Sequence, residues 1–300
     1  MEAASIIERS DTGTGRQVGD SGDLRARLHR MWASVAPAWE KHADYVDARG
    51  ASITEAMLAL SAPQPGERVL ELACGPGSAG LAAATRVAPD GEVVMSDVVA
   101  EMTAIAARRA EALGLANVAT RVLDLERIEE QDASYDVVLC REGLMLVPDP
   151  ALAAREMHRV LRPGGRVTVA VWGPRERNPW LGILFDTVSA QLGAPVPPPN
   201  VPHPFSLDDA GRLAHLLSRA GLSEVTVEEV PTPCDAVSAE EWWERTCVLA
   251  GPLAQKLAAL PAPAAAALRT RAVDAIRAYE TPTGLHIPGV TLVAVARRSD

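Results

Sequence analysis

Five short runs rich in valine and leucine alternate with helical segments in the middle of this chain. The runs lie at 68–73, 92–97, 119–124, 135–140 and 165–172. Alanine- and leucine-rich sequence of helical character follows at 79–87, 100–113 and 150–161. Continuous apolar strands that alternate with helices form parallel sheets covered on both faces. Because the crossovers are right-handed, the pattern predicts an α/β, doubly wound fold.

The flanking sequence is less regular. From Leu24 to Trp39 apolar residues recur at helical spacing, and Pro37 predicts two short helices there rather than one. Further helices are predicted at 180–192 and 238–279, and one more is predicted to be capped by Ser206. Strands are predicted at 223–230 and at the C-terminal "GVTLVAVARR".

Composition excludes several classes of protein. The 300 residues are 48% hydrophobic and 23% charged, which is typical of a soluble globular protein. A net charge of -10 argues against a nucleic-acid partner. Neither a leader nor an unbroken apolar run of 18 is found, so we expect a cytoplasmic protein without a membrane span. The four cysteines are scattered, and no metal site is predicted.

The stretch "RVLELACGPGSAG" holds a glycine-rich turn after the first strand. Gly75-x-Gly77-x-x-Gly80, with Asp97 20 residues after Gly77, is the fingerprint of a dinucleotide site. An NAD(P)-dependent oxidoreductase is therefore one hypothesis. None of the three tyrosines has a lysine four residues later, which speaks against that hypothesis.

Three acids weigh further against a dinucleotide. Glu71, Asp97 and Asp124 come at the carboxyl ends of the first three strands, where ligands bind in such sheets. Two phosphates there would be repelled by about 4 kcal/mol per close pair at an effective dielectric constant of about 20. A positively charged cofactor fits better. Taken singly, each acid is as often only a helix N-cap.

Several motifs in order resemble the class I S-adenosylmethionine-dependent methyltransferases. They are "VLELACGPGSAG", "SDVVAEM", "LDLERI", "YDVVLCREGLMLVPDP" and "HRVLRPGGRVTVAVW". The chain looks most like the branch of ubiquinone and menaquinone biosynthesis methyltransferases and their relatives in secondary (natural-product) metabolism. The resemblance implies a mostly parallel seven-stranded sheet, Rossmann-like, with S-adenosyl-L-methionine as the cofactor.

The resemblance also implies a division of the chain. An N-terminal helical lid covers 24–62, after a segment at 1–23 that is predicted to be disordered. The cofactor-binding core is expected at 63–172. Insertions at 173–285 form a substrate cap around the sixth strand, and 286–300 supply the last strand of the sheet.

The methionine end of the implied cofactor site falls on the first strand and the turn after it. Glu71 matches the family's strand-end acid near the methionine portion. Gly75 and Gly77 let the backbone approach the ligand closely. Ala73 stands where the family has its first glycine and slightly narrows the turn.

The nucleoside end falls on the next two strands. Asp97 matches the acid that accepts hydrogen bonds from both ribose hydroxyls, and Val98 and Met102 are expected to pack against the adenine. Met102 would otherwise be ordinary core. Asp124 matches the acid that accepts from the adenine amino group, and Leu125 supplies backbone contacts.

The fourth strand and the lid complete the implied site. Cys140 and Arg141 lie in the loop along the methionine portion of the cofactor. Glu142 is a candidate for binding a polar group of the substrate, a plain loop charge being the alternative. Trp39 and Tyr45 are expected to line the entrance.

Histidines are the candidate general bases, since imidazole titrates near neutral pH. His29 and His42 lie on the N-terminal helices, His203 in the inserted region and His286 just before the last strand. An enzyme without a base is the alternative if the acceptor atom is nitrogen, sulfur or an ionised phenol.

The sequence thus predicts a methyltransferase for a small-molecule substrate that is largely apolar or aromatic, with O- or C-methylation favoured. This expectation rests on the insertions, which are rich in tryptophan, leucine and proline, because enclosed ligand sites are mostly apolar. A protein that binds S-adenosylmethionine without methylating remains an alternative beside the oxidoreductase. The oligomeric state is open, a homodimer included.

Overall fold

A twisted sheet forms the centre of the protein. The computed structural model describes residues 15–199 and 201–299. Its strands are β1 (Arg68–Leu72), β2 (Glu92–Asp97), β3 (Val118–Val122), β4 (Tyr135–Arg141), β5 (Leu161–Trp172), β6 (Leu222–Pro231), β7 (Cys234–Ala236), β8 (Glu280–Thr281), β9 (Gly284–Ile287) and β10 (Val290–Arg298).

Seven of these strands form the main sheet, in the order β3-β2-β1-β4-β5-β10-β6. The pairs from β3 to β5 are parallel, and β10 lies antiparallel between β5 and β6. The strand order reverses between β1 and β4, so a crevice opens at the carboxyl ends of these strands. The predicted doubly wound, mostly parallel seven-stranded sheet is confirmed.

Helices cover both faces of the sheet. The helices are α1 (Gly15–Lys41), α2 (Ala43–Arg49), α3 (Ala51–Ser61), α4 (Ser78–Val87), α5 (Ala100–Ala112), α6 (Pro150–Val160), α7 (Pro179–Leu192), α8 (Ala210–Arg219), α9 (Ala239–Leu249), α10 (Pro252–Ala258) and α11 (Ala262–Ile276). The central strands are buried on both sides, which explains their continuous apolar sequence. Two large apolar clusters, one on each face, form the core.

The N-terminal helix differs from the prediction. α1 is continuous through Pro37, so the prediction of two short helices was wrong. Pro37 is exposed and lies in the last two turns, while Val35 and Ala36 beside it are buried. Packing of this end therefore outweighs the lost backbone hydrogen bond. α1 also begins at Gly15, inside the segment 1–23 that was predicted to be disordered, and the rest of that prediction falls on residues outside the described part.

The cap differs from the prediction in two details. The helical sequence at 238–279 is divided among α9, α10 and α11, with breaks at Gly251 and Pro261. α8 is capped by Asp209, whose carboxylate accepts from the amide of Arg212 at 2.7 Å, and not by Ser206. The Ser206 hydroxyl instead accepts from the amide of His203 and closes a preceding turn.

A second small sheet, β7-β9-β8, was not predicted. It occupies the cap and packs with α9 and α11 around the fully buried Trp242. Residues 284–287 belong to this sheet, so the last strand of the main sheet begins at Val290 rather than near 286. Among the described residues we find no helix with the length and apolarity needed to cross a bilayer.

Candidate active site

A cavity with about 1070 Å³ of empty space, including its open mouth, lies at the carboxyl edge of β1, β2 and β4. We call it the edge cavity. The lid helix α1 closes one side of it. Its walls are formed by Arg25, Leu28, His29, Trp32, Trp39, Glu71, Ala73, Cys74, Gly75, Pro76, Asp97, Val98, Met102, Asp124, Leu125, Glu126, Arg141, Glu142, Gly143, Leu146, Val147 and Pro148.

The glycine turn and the end of β2 are joined by Asp97. One carboxylate oxygen accepts from the amide of Gly75 and the other from the amide of Val99, both at 3.0 Å. Burial raises the pKa of Asp97, although these amide donors counteract the rise. The carboxylate is thus fixed in one orientation at the cavity wall.

Glu71 is the most buried acid of the edge cavity, with 2% of the residue exposed. Burial raises its pKa to about 7, against the opposing effects of Arg141 and of the backbone amides of Gly80 and Ala79. A side chain on Gly80 would come within 2.4 Å of Oε2 of Glu71, so the third glycine makes room for this carboxyl group. That oxygen has no hydrogen-bond partner among the described residues.

The lid helix is attached to the far side of the edge cavity by an ion pair. The guanidinium of Arg25 donates to both oxygens of Glu126, at 2.8 and 2.9 Å. Glu126 is nearly buried, and its amide donates to the carboxylate of Asp124 at 2.8 Å. The pair therefore fixes α1 beside Asp124, the third strand-end acid.

A second cavity, with about 1110 Å³ of empty space including its mouth, lies between the lid and the cap. We call it the cap cavity. It is lined mainly by aromatic, aliphatic and proline side chains. Its residues are Trp32, Trp39, Tyr45, Val46, Arg49, Glu142, Met145, Leu146, Trp172, Trp180, Leu181, Phe185, Val196, Pro197, Pro198, Val201, Pro202, His203, Pro204, Arg245, Thr246, Leu249, Ala250, Leu253 and Lys256.

Two arginines of the cap cavity are held against aromatic rings. The guanidinium carbon of Arg49 lies 4.5 Å from the ring centre of Trp172 and 4.8 Å from that of Trp180. That of Arg245 lies 3.5 Å from the ring centre of Tyr45. Cation–π contacts in a partly desolvated site contribute about 1–2 kcal/mol each. These side chains are therefore ordered parts of the wall.

The two cavities adjoin. Trp32, Trp39, Glu142 and Leu146 line both of them. Glu142 has a left-handed backbone conformation (φ 58°) directly after β4. Its carboxylate lies 3.6 Å from the guanidinium of Arg49. A ligand in the edge cavity and one in the cap cavity would therefore meet near Glu142.

The structure brings most of the predicted cofactor residues to the wall of the edge cavity, with two exceptions. Gly77 is turned toward the side chains of Met95 and Ala106 instead. Cys140 is fully buried in the core cluster, and burial raises the pKa of its thiol to about 12. Cys140 is thus a packing residue in this fold rather than part of the cavity wall.

The four candidate bases are spread over the molecule. His29 lines the edge cavity and His203 the cap cavity, while His42 lines neither. His286 lies on the small sheet, 2.7 Å from the carboxylate of Asp235, with 61% of its side chain exposed. Nδ1 of His203 accepts from the amide of Phe205 at 3.1 Å. A neutral His203 therefore carries its proton on Nε2, which makes that nitrogen a donor rather than a base.

Sequence reasoning missed several lining residues. Arg49 and Arg245 look like ordinary exposed bases of amphipathic helices in the sequence. Arg25 and Glu126 are far apart in the chain, and their pairing follows only from the position of α1. The predicted entrance residues Trp39 and Tyr45 do line the cap cavity.

Known proteins are similar to parts of this chain. The model of a methyltransferase domain family matches residues 63–179. The ubiquinone/menaquinone biosynthesis C-methyltransferase UbiE of Ectopseudomonas mendocina is 38% identical over 131 residues, which cover 43% of this chain and 51% of that protein. The UbiE protein of Ralstonia pickettii is 30% identical over 187 residues, covering 58% of this chain and 76% of the relative.

The relative from Ralstonia pickettii decides the family, since it is 30% identical and this chain covers 76% of it. The chain belongs to the S-adenosylmethionine-dependent methyltransferases. The nocamycin O-methyltransferase of Saccharothrix syringae is 34% identical over 186 residues, 58% of this chain and 65% of that protein. The chain thus spans about half of the first of these relatives and more of the others.

The fold agrees with this family. The crystal structure of the YcgJ protein of Bacillus subtilis superimposes with a TM-score of 0.57 at 18% identity, over 82% of this chain and 98% of that one. Because the chain belongs to the S-adenosylmethionine-dependent methyltransferases, the oxidoreductase hypothesis is set aside.

The residues of the edge cavity suit the cofactor of this family. Glu71, Asp97 and Asp124 supply negative charge and acceptors for a ligand that carries a sulfonium, an ammonium and two ribose hydroxyls. The partnerless oxygen of Glu71 is a buried acceptor that a cationic ligand would satisfy. Val98, Met102 and Leu125 supply an apolar wall at the end of β2 and β3. Within the described part of the chain no cluster of metal-binding side chains occurs.

Proposed function

We propose that this protein transfers a methyl group from S-adenosylmethionine to a small, largely apolar or aromatic acceptor. The observation that carries the proposal is the junction of the two cavities: an acidic one at the strand ends and an apolar one under the cap share a wall at Glu142. Bimolecular transfer needs both ligands side by side. Bound in the edge cavity, the cofactor would supply an electrophilic methyl group on a positively charged sulfur.

The acids of the edge cavity are proposed to hold the cofactor. Asp97 would accept from the ribose hydroxyls, since its carboxylate is already oriented by the amides of Gly75 and Val99. Glu71 and the loop of Arg141 would lie along the methionine portion. Asp124 would accept from the adenine amino group, with Leu125 beside it.

The lid and the cap are proposed to exclude water and to orient the acceptor. Trp39 lies between the two cavities, and the cap cavity presents apolar walls at Trp172, Trp180 and Phe185. Methyl transfer from a sulfonium is an in-line displacement. An enzyme accelerates it mainly by holding the acceptor atom opposite the leaving sulfur and by excluding water. An aromatic or aliphatic acceptor would gain most from these walls.

O- or C-methylation is favoured for the acceptor atom. The names of the relatives include a C-methyltransferase and an O-methyltransferase, both acting on small molecules by those names. Of the candidate bases, only His29 and His203 line a cavity, and the tautomer of His203 makes it a donor. We therefore propose that proton removal from the acceptor does not depend on His42 or His286.

An acceptor screen tests the proposed activity. The purified protein is incubated with S-adenosylmethionine and a panel of phenols, enols and fatty or aromatic acids, and S-adenosylhomocysteine and methylated products are followed by mass spectrometry. We expect turnover with at least one apolar hydroxyl or activated-carbon acceptor. Tight cofactor binding without S-adenosylhomocysteine release from any acceptor would favour a protein that binds the cofactor and does not methylate.

A further inference from the structure

Unpaired polar groups concentrate at the two cavities. Among the described residues, six buried side-chain nitrogen or oxygen atoms have no hydrogen-bond partner, and five of them belong to cavity-lining residues. The six are Trp39 Nε1, Arg49 Nη1, Glu71 Oε2, Tyr135 Oη, Glu142 Oε1 and Arg245 Nε. Buried polar groups are normally paired, so such a cluster calls for an explanation. A bound ligand is the simplest one.

Arg49 and Glu142 form the most specific part of this cluster. Their closest approach, 3.6 Å, is longer than a normal hydrogen bond between charged groups. Arg49 is held by cation–π contacts to Trp172 and Trp180, whose own rings lie edge to face with their centres 5.0 Å apart. The backbone of Glu142 is held by its amide, which donates to the carbonyl of Ala170 at 2.8 Å. The two groups are thus placed side by side, and each keeps unused hydrogen-bonding capacity.

We propose that Arg49 and Glu142 form a polar clamp that selects an uncharged acceptor substrate with a hydroxyl group and an oxygen acceptor on neighbouring atoms. The guanidinium donates to the oxygen acceptor, and the carboxylate accepts from the hydroxyl. A vicinal pair of phenolic oxygens and an enol beside a carbonyl share this chemistry. The inference rests on the proposed function and adds the substrate class.

The opposite charges of Arg49 and Glu142 favour an uncharged ligand. The pair has no net charge, and both side chains are largely buried, with 10% and 14% exposed. An anionic ligand group would meet Glu142 at close range, and a cationic group would meet Arg49. A neutral donor–acceptor pair satisfies both without leaving a buried charge unpaired.

The positions of Glu142 and Arg49 indicate that the hydroxyl of the acceptor is the reacting group. Glu142 lines both cavities, whereas Arg49 lines the cap cavity alone. A hydroxyl bound by Glu142 therefore lies at the boundary with the cofactor, and the neighbouring oxygen lies deeper in the cap cavity. When the hydroxyl oxygen takes the methyl group, its proton would pass to the carboxylate of Glu142 and S-adenosylhomocysteine would leave. The clamp sets the orientation of the acceptor, so Arg49 is a positioning residue.

Titration calorimetry on the protein saturated with S-adenosylhomocysteine tests the clamp. The probes are 3-methoxy-2-naphthol, which carries both groups, 2-naphthol, which lacks the neighbouring oxygen, and 2-methoxynaphthalene, which lacks the hydroxyl. Since hydrogen bonds to charged groups are worth about a factor of ten or more in affinity, we expect the first probe to bind about tenfold tighter than either of the others.

Variants separate the two contacts. Arg49→Met should abolish the preference for 3-methoxy-2-naphthol over 2-naphthol and leave the affinity for S-adenosylhomocysteine within about threefold. The double variant Arg49→Met with Glu142→Met leaves no unpaired buried charge, and it should bind the three probes within about threefold of one another. Lys41→Met is the control, because Lys41 is an exposed cation that lines neither cavity. It should keep the wild-type preference.

Failure of the clamp and failure of the proposed function give different results. If the wild type does not bind S-adenosylhomocysteine, the proposed function is wrong. If it binds that ligand but binds the three probes equally or not at all, the clamp is wrong and the function stands. A preference that survives in the double variant also contradicts the clamp.

Discussion

The amide of Gly75 donates to the carboxylate of Asp97 at 3.0 Å, which ties the turn after β1 to the end of β2. This bond fixes both the glycine backbone and the acid at the wall of the edge cavity. Gly75 has a φ of 51°, in the left-handed region, and open space lies where a side chain would be. A substituent there would therefore project into the cavity.

Gly75→Ala is expected to lower both stability and cofactor affinity. The left-handed conformation costs a non-glycine residue about 1–2 kcal/mol, and the added methyl group narrows the cofactor site. Gly66→Ala is the matched control, since Gly66 also has a positive φ (85°) and open space around it, away from both cavities. Thermal unfolding should shift similarly in both variants, whereas calorimetry should find weaker S-adenosylmethionine binding only in Gly75→Ala. Equal cofactor affinity in the two variants would contradict the placement of the turn.

The main sheet could be predicted because each of its central strands is a continuous apolar run in the sequence. A strand buried on both faces must be apolar along its length, as "VVLC" in β4 and "VVM" in β2 are. The acids at the ends of β1 and β2 stand out against this background, and they do line the edge cavity.

The cap could not be predicted in the same way. β7, β8 and β9 are two to four residues long, too short to show a period of two. Arg49 is a stacked residue of the cap cavity only because Trp172 and Trp180, more than a hundred positions later, pack around it. Such long-range packing leaves no local trace in a sequence. The path of α1 through Pro37 is likewise decided by tertiary contacts.

Glu71→Gln is expected to stabilise the protein at alkaline pH. Burial raises the pKa of Glu71 from 4.5 to about 7. Below pH 4.5 the carboxyl group is protonated in both the folded and the unfolded chain, so its ionisation does not change the free energy of unfolding. Between pH 4.5 and 7 the unfolded chain loses this proton while the folded chain keeps it, so the free energy of unfolding of the wild type falls as the pH rises and levels off above 7. Between pH 5 and pH 8 the free energy of unfolding of the variant should therefore gain about 2 kcal/mol relative to the wild type.

Urea unfolding at the two pH values measures this gain. Glu92→Gln serves as the control, because Glu92 begins β2 beside Glu71's strand but has 44% of its side chain exposed. The control should show the same difference from the wild type at both pH values. If Glu71→Gln behaves like the control, the charge of Glu71 is not buried as described. S-adenosylmethionine binding should weaken in Glu71→Gln despite its greater stability.

Arg25→Met is expected to loosen the lid. Loss of the guanidinium leaves the nearly buried Glu126 with the amide of Asp149 as its remaining donor. Hydrogen exchange should become faster in α1, and S-adenosylmethionine affinity should fall several-fold, while exchange in β4 and β5 stays unchanged. Arg108→Met is the comparison, since Arg108 pairs with Glu40 of α1 at an exposed position where an ion pair contributes little. Equal exchange in α1 of both variants would show that the Arg25 pair does not hold the lid.

The acids at the strand ends are proposed to bind S-adenosylmethionine. Asp97→Asn removes the charge while it keeps the shape, and Asp136→Asn does the same at the start of β4, at the opposite edge of the sheet. Calorimetric titration of the wild type and both variants with S-adenosylmethionine, and of the wild type with NAD, tests the claim most directly. We expect the wild type to bind S-adenosylmethionine and not NAD. Asp97→Asn should bind S-adenosylmethionine at least about tenfold more weakly than the wild type, and Asp136→Asn should bind it like the wild type. Unchanged affinity in Asp97→Asn, or binding of NAD alone, would contradict the account.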